Sequence, residues 1–287
     1  MCSGGSWKYS LLFLTYYEKE ERYKLTVLNL MSNSGHISNE DLLNPTTPSG
    51  SSGTSETGFT ADSTWKDMYR RDLYARDRVM KSARLLLPYT KDTDTILDVG
   101  CFTWEARKYF PRSQTYIGID QKKYHKDTRV VDLNHGFEAI PCQHALCLET
   151  LEHLIDPEDT LQAIHASLPE EGKLVVSLPN EATLFHRIRC LLGRPDNDCF
   201  QGEGKHLHLP SLSQCRKFLS KSFEIEKELY YISPTACNSS QAWVGGVLSL
   251  IPDVVHQWLA DWRPSLFARG FIFLLKKVNN SPQSSTS

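Results

Sequence analysis

Two short apolar runs, each closed by residues suited to holding a ligand, carry the clearest chemistry in this chain. Ile96-Leu97-Asp98-Val99-Gly100-Cys101 leads an apolar stretch into a small-residue turn. Tyr116-Ile117-Gly118-Ile119-Asp120 is a second apolar stretch, and its terminal carboxylate lies 20 residues after Gly100. A buried strand, a tight turn, a helix and a second strand ending in an acid together make a nucleoside site. The turn lets backbone approach the ligand, and the acid accepts the ribose hydroxyls. A third group is Glu149-x-x-Glu152-His153, with His206 downstream. His153 is the candidate general base for a hydroxyl acceptor, because an unperturbed imidazole titrates near neutral pH. Glu149, Glu152, His153 and His206 also have the residue types of a divalent-cation set. The reading taken is that Glu152-His153 orients the start of the following helix and that no metal is bound.

The elements that must position these residues alternate between strand and helix. Thr95–Val99, Thr115–Ile119, Arg129–Asp132, Ala145–Leu148 and Lys173–Leu178 read as strands, and Trp104–Phe110 as a short helix. Asp156 is a good N-cap, followed by Pro157 at the first helical position and by Glu158 and Asp159 at the positive helix end. Leu161, Ile164 and Leu168 give that helix its buried stripe. Phe223–Tyr231 and Phe271–Lys276 supply two further strands, and the apolar stretch Trp243–Trp262 reads as helix broken by Pro252. Upstream, Trp65, Met68, Tyr69, Leu73, Val79, Met80, Ala83 and Leu87 recur at helical spacing, with a largely basic opposite face. This rhythm implies an α/β fold: a Rossmann-like, doubly wound, mostly parallel seven-stranded sheet with helices on both faces.

The 287 residues are 40% hydrophobic, enough for one large domain with additions. A net charge of −2 argues against a nucleic-acid partner or an anionic surface as the main ligand. Eight cysteines form no C-x-x-C pair, which reads as reduced thiols in a cytoplasmic protein. No run is long and apolar enough to span a bilayer. Residues 1–63 are expected to be an N-terminal arm that is disordered or non-native, since Ser, Gly, Thr, Asn and Pro dominate 32–63. Residues 64–278 form the domain, with a lid around 181–210 and 241–264, and 279–287 form a disordered tail. Within the lid, Leu184–Pro195 is an amphipathic basic helix ending at a glycine, a surface compatible with peripheral membrane contact.

The two opening runs resemble the first two motifs of class I S-adenosylmethionine-dependent methyltransferases, in particular the small-molecule, type-11-like members. The resemblance extends over roughly residues 65–277. Ala145-Leu146-Cys147-Leu148-Glu149-Thr150-Leu151-Glu152-His153-Leu154-Ile155-Asp156-Pro157 is similar to the family's fourth-strand motif. Leu168-Pro169-Glu170-Glu171-Gly172 looks like its turn into the fifth strand, with one glycine replaced, and Leu178-Pro179-Asn180 matches that strand's end.

By position, the resemblance implies S-adenosyl-L-methionine as cofactor. It implies that Asp98, Gly100 and Cys101 line the methionine end. Asp120 would bind the ribose, Asp132 and Leu133 would sit beside the adenine, and Leu148 and Glu149 would border the site. The activity it implies is methyl transfer to a small-molecule or lipid-like acceptor. One departure stands out: Phe102-Thr103-Trp104 replaces the family's Gly-x-Gly. Trp104 is expected to pack away from the pocket. The alternative reading is a non-catalytic methyltransferase-fold binding or regulatory protein, its cofactor loop altered at Phe102 and Trp104.

Overall fold

The computed structural model describes residues 73–193, 206–232 and 253–278. The chain divides into two units, Met1–Gly58 and Phe59–Ser287, and all described residues lie in the second. The expected arm (1–63), the start of the first helix (Trp65, Met68, Tyr69), the lid portions 194–205 and 241–252 and the tail 279–287 fall outside them.

Seven strands form one sheet: β1 (Thr95–Val99), β2 (Thr115–Asp120), β3 (Arg129–Val130), β4 (His144–Leu148), β5 (Lys173–Pro179), β6 (Phe223–Tyr231) and β7 (Gly270–Lys277). Their order is β3-β2-β1-β4-β5-β7-β6. The first five are parallel, and β7 inserts antiparallel between β5 and β6. The central strands are apolar runs rather than alternating ones because helices cover both of their faces. On one face α1 (Leu73–Leu86) lays Val79, Ala83 and Leu86 against Ile96, Leu146, Val175, Ile272 and Leu274. On the other, Leu161 and Ile164 of α2 (Pro157–Ser167) and Leu219 of α4 (Leu212–Leu219) join Leu97, Ala145, Leu174, Val176 and Phe273.

The caps act as the residue types require. Asp156 Oδ1 accepts from the backbone N–H groups of Glu158 and Asp159 at 3.0 and 3.3 Å, and Ser211 and Gln214 close a capping box on α4. The basic amphipathic segment forms α3 (Leu184–Leu191), capped by Thr183 and stopped at Gly193. The described part of the long apolar stretch is α5 (Asp253–Trp262), which follows Pro252, and the short α6 (Pro264–Phe267) leads into β7.

Two elements, a helix and a strand, differ from the sequence reading. The helix expected at Trp104–Phe110 is a 3₁₀ turn, Glu105–Tyr109, entered from Trp104 in the left-handed conformation. Residues 121–128 pass from β2 to β3 without a helix. The strand expected at Arg129–Asp132 is only two residues long, because Asp132 turns back on Asn134. Both elements lie at the same corner of the sheet as the candidate ligand-binding residues.

Candidate active site

Chain order reverses between β1 and β4, so the crevice at their carboxyl ends is the topological switch point where open α/β sheets bind ligands. Gly100 stands there with φ +74°. Its glycine identity answers a close approach: a Cβ would lie 2.1 Å from Thr150 Oγ1, on the segment leaving β4. The backbone N–H groups of Gly100 and Cys101 both donate to Ile119 O, at 2.9 and 3.1 Å, which ties the turn to β2.

Asp120 ends β2 and is 8% exposed. Its Oδ2 accepts from Phe102 N–H at 3.0 Å and its Oδ1 from Lys122 N–H at 3.1 Å. The ionised group offers about four acceptor positions, and the backbone N–H groups of Phe102, Lys122 and Gln121 take three of them, so the group holds the glycine-motif loop and keeps a position for a ribose hydroxyl. Burial pushes its pKa up, and the backbone donors at Lys122 and Phe102 pull against that.

Phe102 and Trp104 adopt φ +42° and +61°. The backbone therefore keeps a path that glycine would follow without strain, and two side-chain-bearing residues are held in it by their contacts. The Phe102 ring meets Tyr124 at 4.5 Å. The Trp104 indole lies against β2 at Gly118, where a Cβ would sit 2.6 Å from Nε1. Its Nε1–H donates to Thr128 Oγ1 at 3.0 Å, and the ring stacks on His125 at 4.6 Å and tilts against Tyr116. Gly118 was the readable signal for this packing, since a glycine inside a strand marks a close approach.

Asp98 is 3% exposed and accepts from Tyr116 Oη–H at 2.5 Å. Burial pushes its pKa to about 7, opposed by the tyrosine hydrogen bond and reinforced by Asp120. Between about pH 4 and 7 the folded chain therefore keeps a proton that the unfolded chain releases. The sign follows: this group's contribution falls as pH rises through that window, by up to about 1.4 kcal/mol per pH unit. Asp98→Asn should flatten that part of the profile, measured by urea unfolding at pH 4.5 and 7.5. Parallel profiles for parent and variant would contradict it.

The other cofactor candidates divide by burial. Cys101 and Leu133 have buried side chains. Cys101 Sγ lies 3.7 Å from Thr128 Oγ1, and burial raises its thiol pKa. Asp132 is exposed just past β3, and its Oδ1 accepts from both the backbone and side-chain N–H of Asn134. Leu148 is half-buried at the end of β4.

Glu149 follows at φ +50°. Its Oε1 accepts from Tyr231 Oη–H at 2.6 Å, and its Oε2 pairs with Arg78 at 3.2 Å. Arg78 and Tyr231 come from α1 and β6, and no local pattern announced either one. Glu152 is 1% exposed, and among the described residues neither carboxylate oxygen has a hydrogen-bond partner. Burial, then the neighbouring charge of Glu149, raises its pKa well above the usual carboxylate range. His153 Nε2 lies 3.8 Å from Glu152 Oε1, and the His153 ring meets the edge of His206 at 4.8 Å. His206 arrives because the backbone N–H groups of Leu207 and His208 both donate to Glu152 O, at 2.8 and 3.1 Å. Beside this group is a cavity of about 350 Å³, lined by Leu151, Glu152, Leu178, Leu207 and Phe218 among others.

This sheet order, with β7 antiparallel and a glycine turn and acid at the β1 and β2 tips, defines a class I S-adenosylmethionine-dependent methyltransferase domain. The family model for a methyltransferase domain matches residues 69–222, more than half of the chain, and the chain belongs to that family. S-adenosylmethionine is its cofactor, and the acceptor capacity left on Asp120 suits a ribose hydroxyl of that molecule. Among curated proteins none matches the chain. In fold it is similar to a chain of the complex between the Haloferax volcanii Trm112 methyltransferase activator and a methyltransferase. That likeness has 13% identity and a TM-score of 0.51, and covers 76% of this chain and 94% of the other. A SAM-dependent methyltransferase from Archaeoglobus fulgidus aligns at 16% identity over 74% of this chain and 99% of the other, with TM-score 0.47. One from Thermotoga maritima aligns at 13% identity over 75% and 95%, with TM-score 0.49.

Proposed function

We propose that this methyltransferase acts on a small or lipid-like acceptor seated beside the exit of β4. The observation that carries this reading is the cavity of about 350 Å³ that Glu152, the residue before His153, helps to line together with Leu151, Leu178, Leu207, Leu209 and Phe218. Such a lining removes water from an apolar ligand, and its volume suits a small molecule or one end of a longer chain. When bound, S-adenosylmethionine supplies a methyl group on a positively charged sulfur. Asp120 holds the ribose through charge-assisted hydrogen bonding, while Asp98, Gly100 and Cys101 border the methionine end. Leu148 and the backbone of Glu149 form the wall facing the acceptor, and Asp132 and the backbone of Leu133 border the adenine. The protein's work is then positioning and exclusion of water, which can supply most of the acceleration of a displacement. Where the acceptor is a hydroxyl and no metal ion occupies the imidazole's ring nitrogen, His153 takes its proton. Its side chain is about one-third exposed, so the proton can pass on to solvent.

The exposed apolar side chains Leu184, Ile188, Leu191 and Leu192 on and after α3, with Arg187 and Arg189, support contact with a lipid-like acceptor's surroundings. Among the described residues no helix is long and apolar enough to cross a membrane. The buried free thiols of Cys101, Cys142, Cys147 and Cys215 support a cytoplasmic setting.

The test is calorimetry with S-adenosylmethionine and its demethylated product. Asp120→Ala should lose about 1.5–3 kcal/mol of cofactor affinity, the scale of hydrogen bonds to a charged group. An unchanged dissociation constant in a folded variant would move the cofactor site elsewhere. No binding by the parent chain would favour the non-catalytic reading.

A further inference from the structure

Three side chains with ligating atoms converge where β4 leaves the sheet. One oxygen of Glu152 and one ring nitrogen each of His153 and His206 lie within 4.8 Å of one another. The cluster is a built one. Glu152 is 1% exposed, and both of its carboxylate oxygens are buried without a hydrogen-bond partner among the described residues. A buried carboxylate in that condition is costly unless a cation matches it. His206 Nδ1 and Glu181 Oε1 are 2.9 Å apart. Donation to that carboxylate puts the proton on Nδ1 and the lone pair on Nε2. This carboxylate–imidazole arrangement is the one that orients metal-bound histidines. The loop carrying His206 is fixed by the two backbone hydrogen bonds to Glu152 O.

We propose that Glu152, His153 and His206 bind one divalent first-row transition-metal ion, with Glu181 orienting His206. Glu149 is not a ligand. Its carboxylate is committed to Arg78 and Tyr231, although its spacing in the sequence would have included it. Two imidazoles and one carboxylate suit zinc, iron, cobalt or manganese, whereas magnesium prefers oxygen ligands and retained water. Ligand distances of about 2.1 Å bring ligand atoms to roughly 3.0–3.5 Å from one another. Glu152 Oε1 and His153 Nε2 are already at 3.8 Å, and small rotations of the two half-buried imidazoles close the set around the buried carboxylate. Three protein ligands leave coordination positions open, and Glu152 also lines the 350 Å³ cavity. An acceptor oxygen reaching the ion from that cavity would be acidified by it, which replaces proton removal by His153 because the ion occupies that imidazole's lone pair. That last role rests on the methyl-transfer reading, and ion binding itself does not.

The test is equilibrium dialysis of the full chain, stripped with chelator, against zinc, manganese and magnesium in turn, with bound metal quantified by mass spectrometry. Cobalt is added separately for its visible absorption. The parent should bind one equivalent of zinc and show cobalt bands of a nitrogen–oxygen site, with magnesium bound far more weakly. Glu152→Gln, which keeps the shape of the side chain, and His206→Ala should each weaken zinc binding at least tenfold and abolish the zinc-induced rise in Tm. Glu149→Gln should retain the metal. A parent chain that binds no metal would overturn the proposal, and so would zinc binding at undiminished affinity in Glu152→Gln, the mark of exposed histidines acting alone. Loss of metal in Glu149→Gln would overturn the three-ligand assignment. None of these readouts uses cofactor, so failure of S-adenosylmethionine to bind would strike only the methyl-transfer reading.

Discussion

Arg78→Met should lower the free energy of unfolding at neutral pH by about 3–5 kcal/mol, the cost of removing one partner from a buried ion pair. Arg78 is 8% exposed and lies 3.2 Å from Glu149 Oε2. It is the cation that faces Glu149, and its charge also lowers the pKa of Glu152. Without it, the Glu149 carboxylate is left at the carboxyl end of β4 without its cation, and the pKa of Glu152 rises further. The methionine keeps the apolar stem, so the loss reports charge rather than packing. The effect should also reach the backbone. Glu149 holds φ +50°, an unfavourable conformation for a side-chain-bearing residue, and its two side-chain contacts help to keep it there. Urea unfolding of Arg78→Met, Glu149→Gln and the double variant gives the coupling directly. The double variant should be clearly more stable than the sum of the single losses predicts. A loss below about 1 kcal/mol in Arg78→Met, or strict additivity, would show that the pair is incidental.

The second large effect is expected at Trp104. A fully buried tryptophan cut to alanine costs about 3–5 kcal/mol. Trp104 is half-buried, so Trp104→Ala should cost about 2–4 kcal/mol through loss of the Thr128 hydrogen bond and the His125 and Tyr116 ring contacts. In the helix that the sequence suggests at Trp104–Phe110, a glycine would be a further cost. The left-handed backbone reverses that sign. At φ +61° glycine relieves about 1–2 kcal/mol of strain, offset in part by its greater freedom in the unfolded chain. Trp104→Gly should therefore be more stable than Trp104→Ala by about 0.5–1 kcal/mol, while both remain below the parent. Thermal unfolding paired with cofactor titration reads both sides. Tighter cofactor binding with unchanged stability in Trp104→Gly would show that the indole fills the pocket, and would support a non-catalytic protein.

Much of the architecture is legible in the chain because it depends on local rules. Apolar runs of four to seven residues bounded by turns mark the buried strands, and Asp156-Pro157 marks the start of α2. The ordered glycine and acid positions mark the family. The short β3 and the 3₁₀ turn after Trp104 escaped that reading because both are set by the φ and hydrogen-bonding choices of single residues, Asp132 with Asn134 and Trp104 with Thr128.

The chain by itself determined which residues could carry charge or bind a ligand, and that Gly100, Asp120 and Glu149 stand at the ends of strands. Only the tertiary structure decided what each of them meets. Glu149 is turned toward Arg78 and Tyr231, the latter 82 positions away. The Trp104 indole rests on Gly118, a neighbour only because β2 lies beside β1. His206 joins Glu152 and His153 across more than fifty residues through backbone bonds to a single carbonyl. The physical reason is the same in all three cases. Periodicity and turn chemistry act over a few residues, whereas desolvation makes a buried charge or donor seek a partner wherever the sheet order brings one.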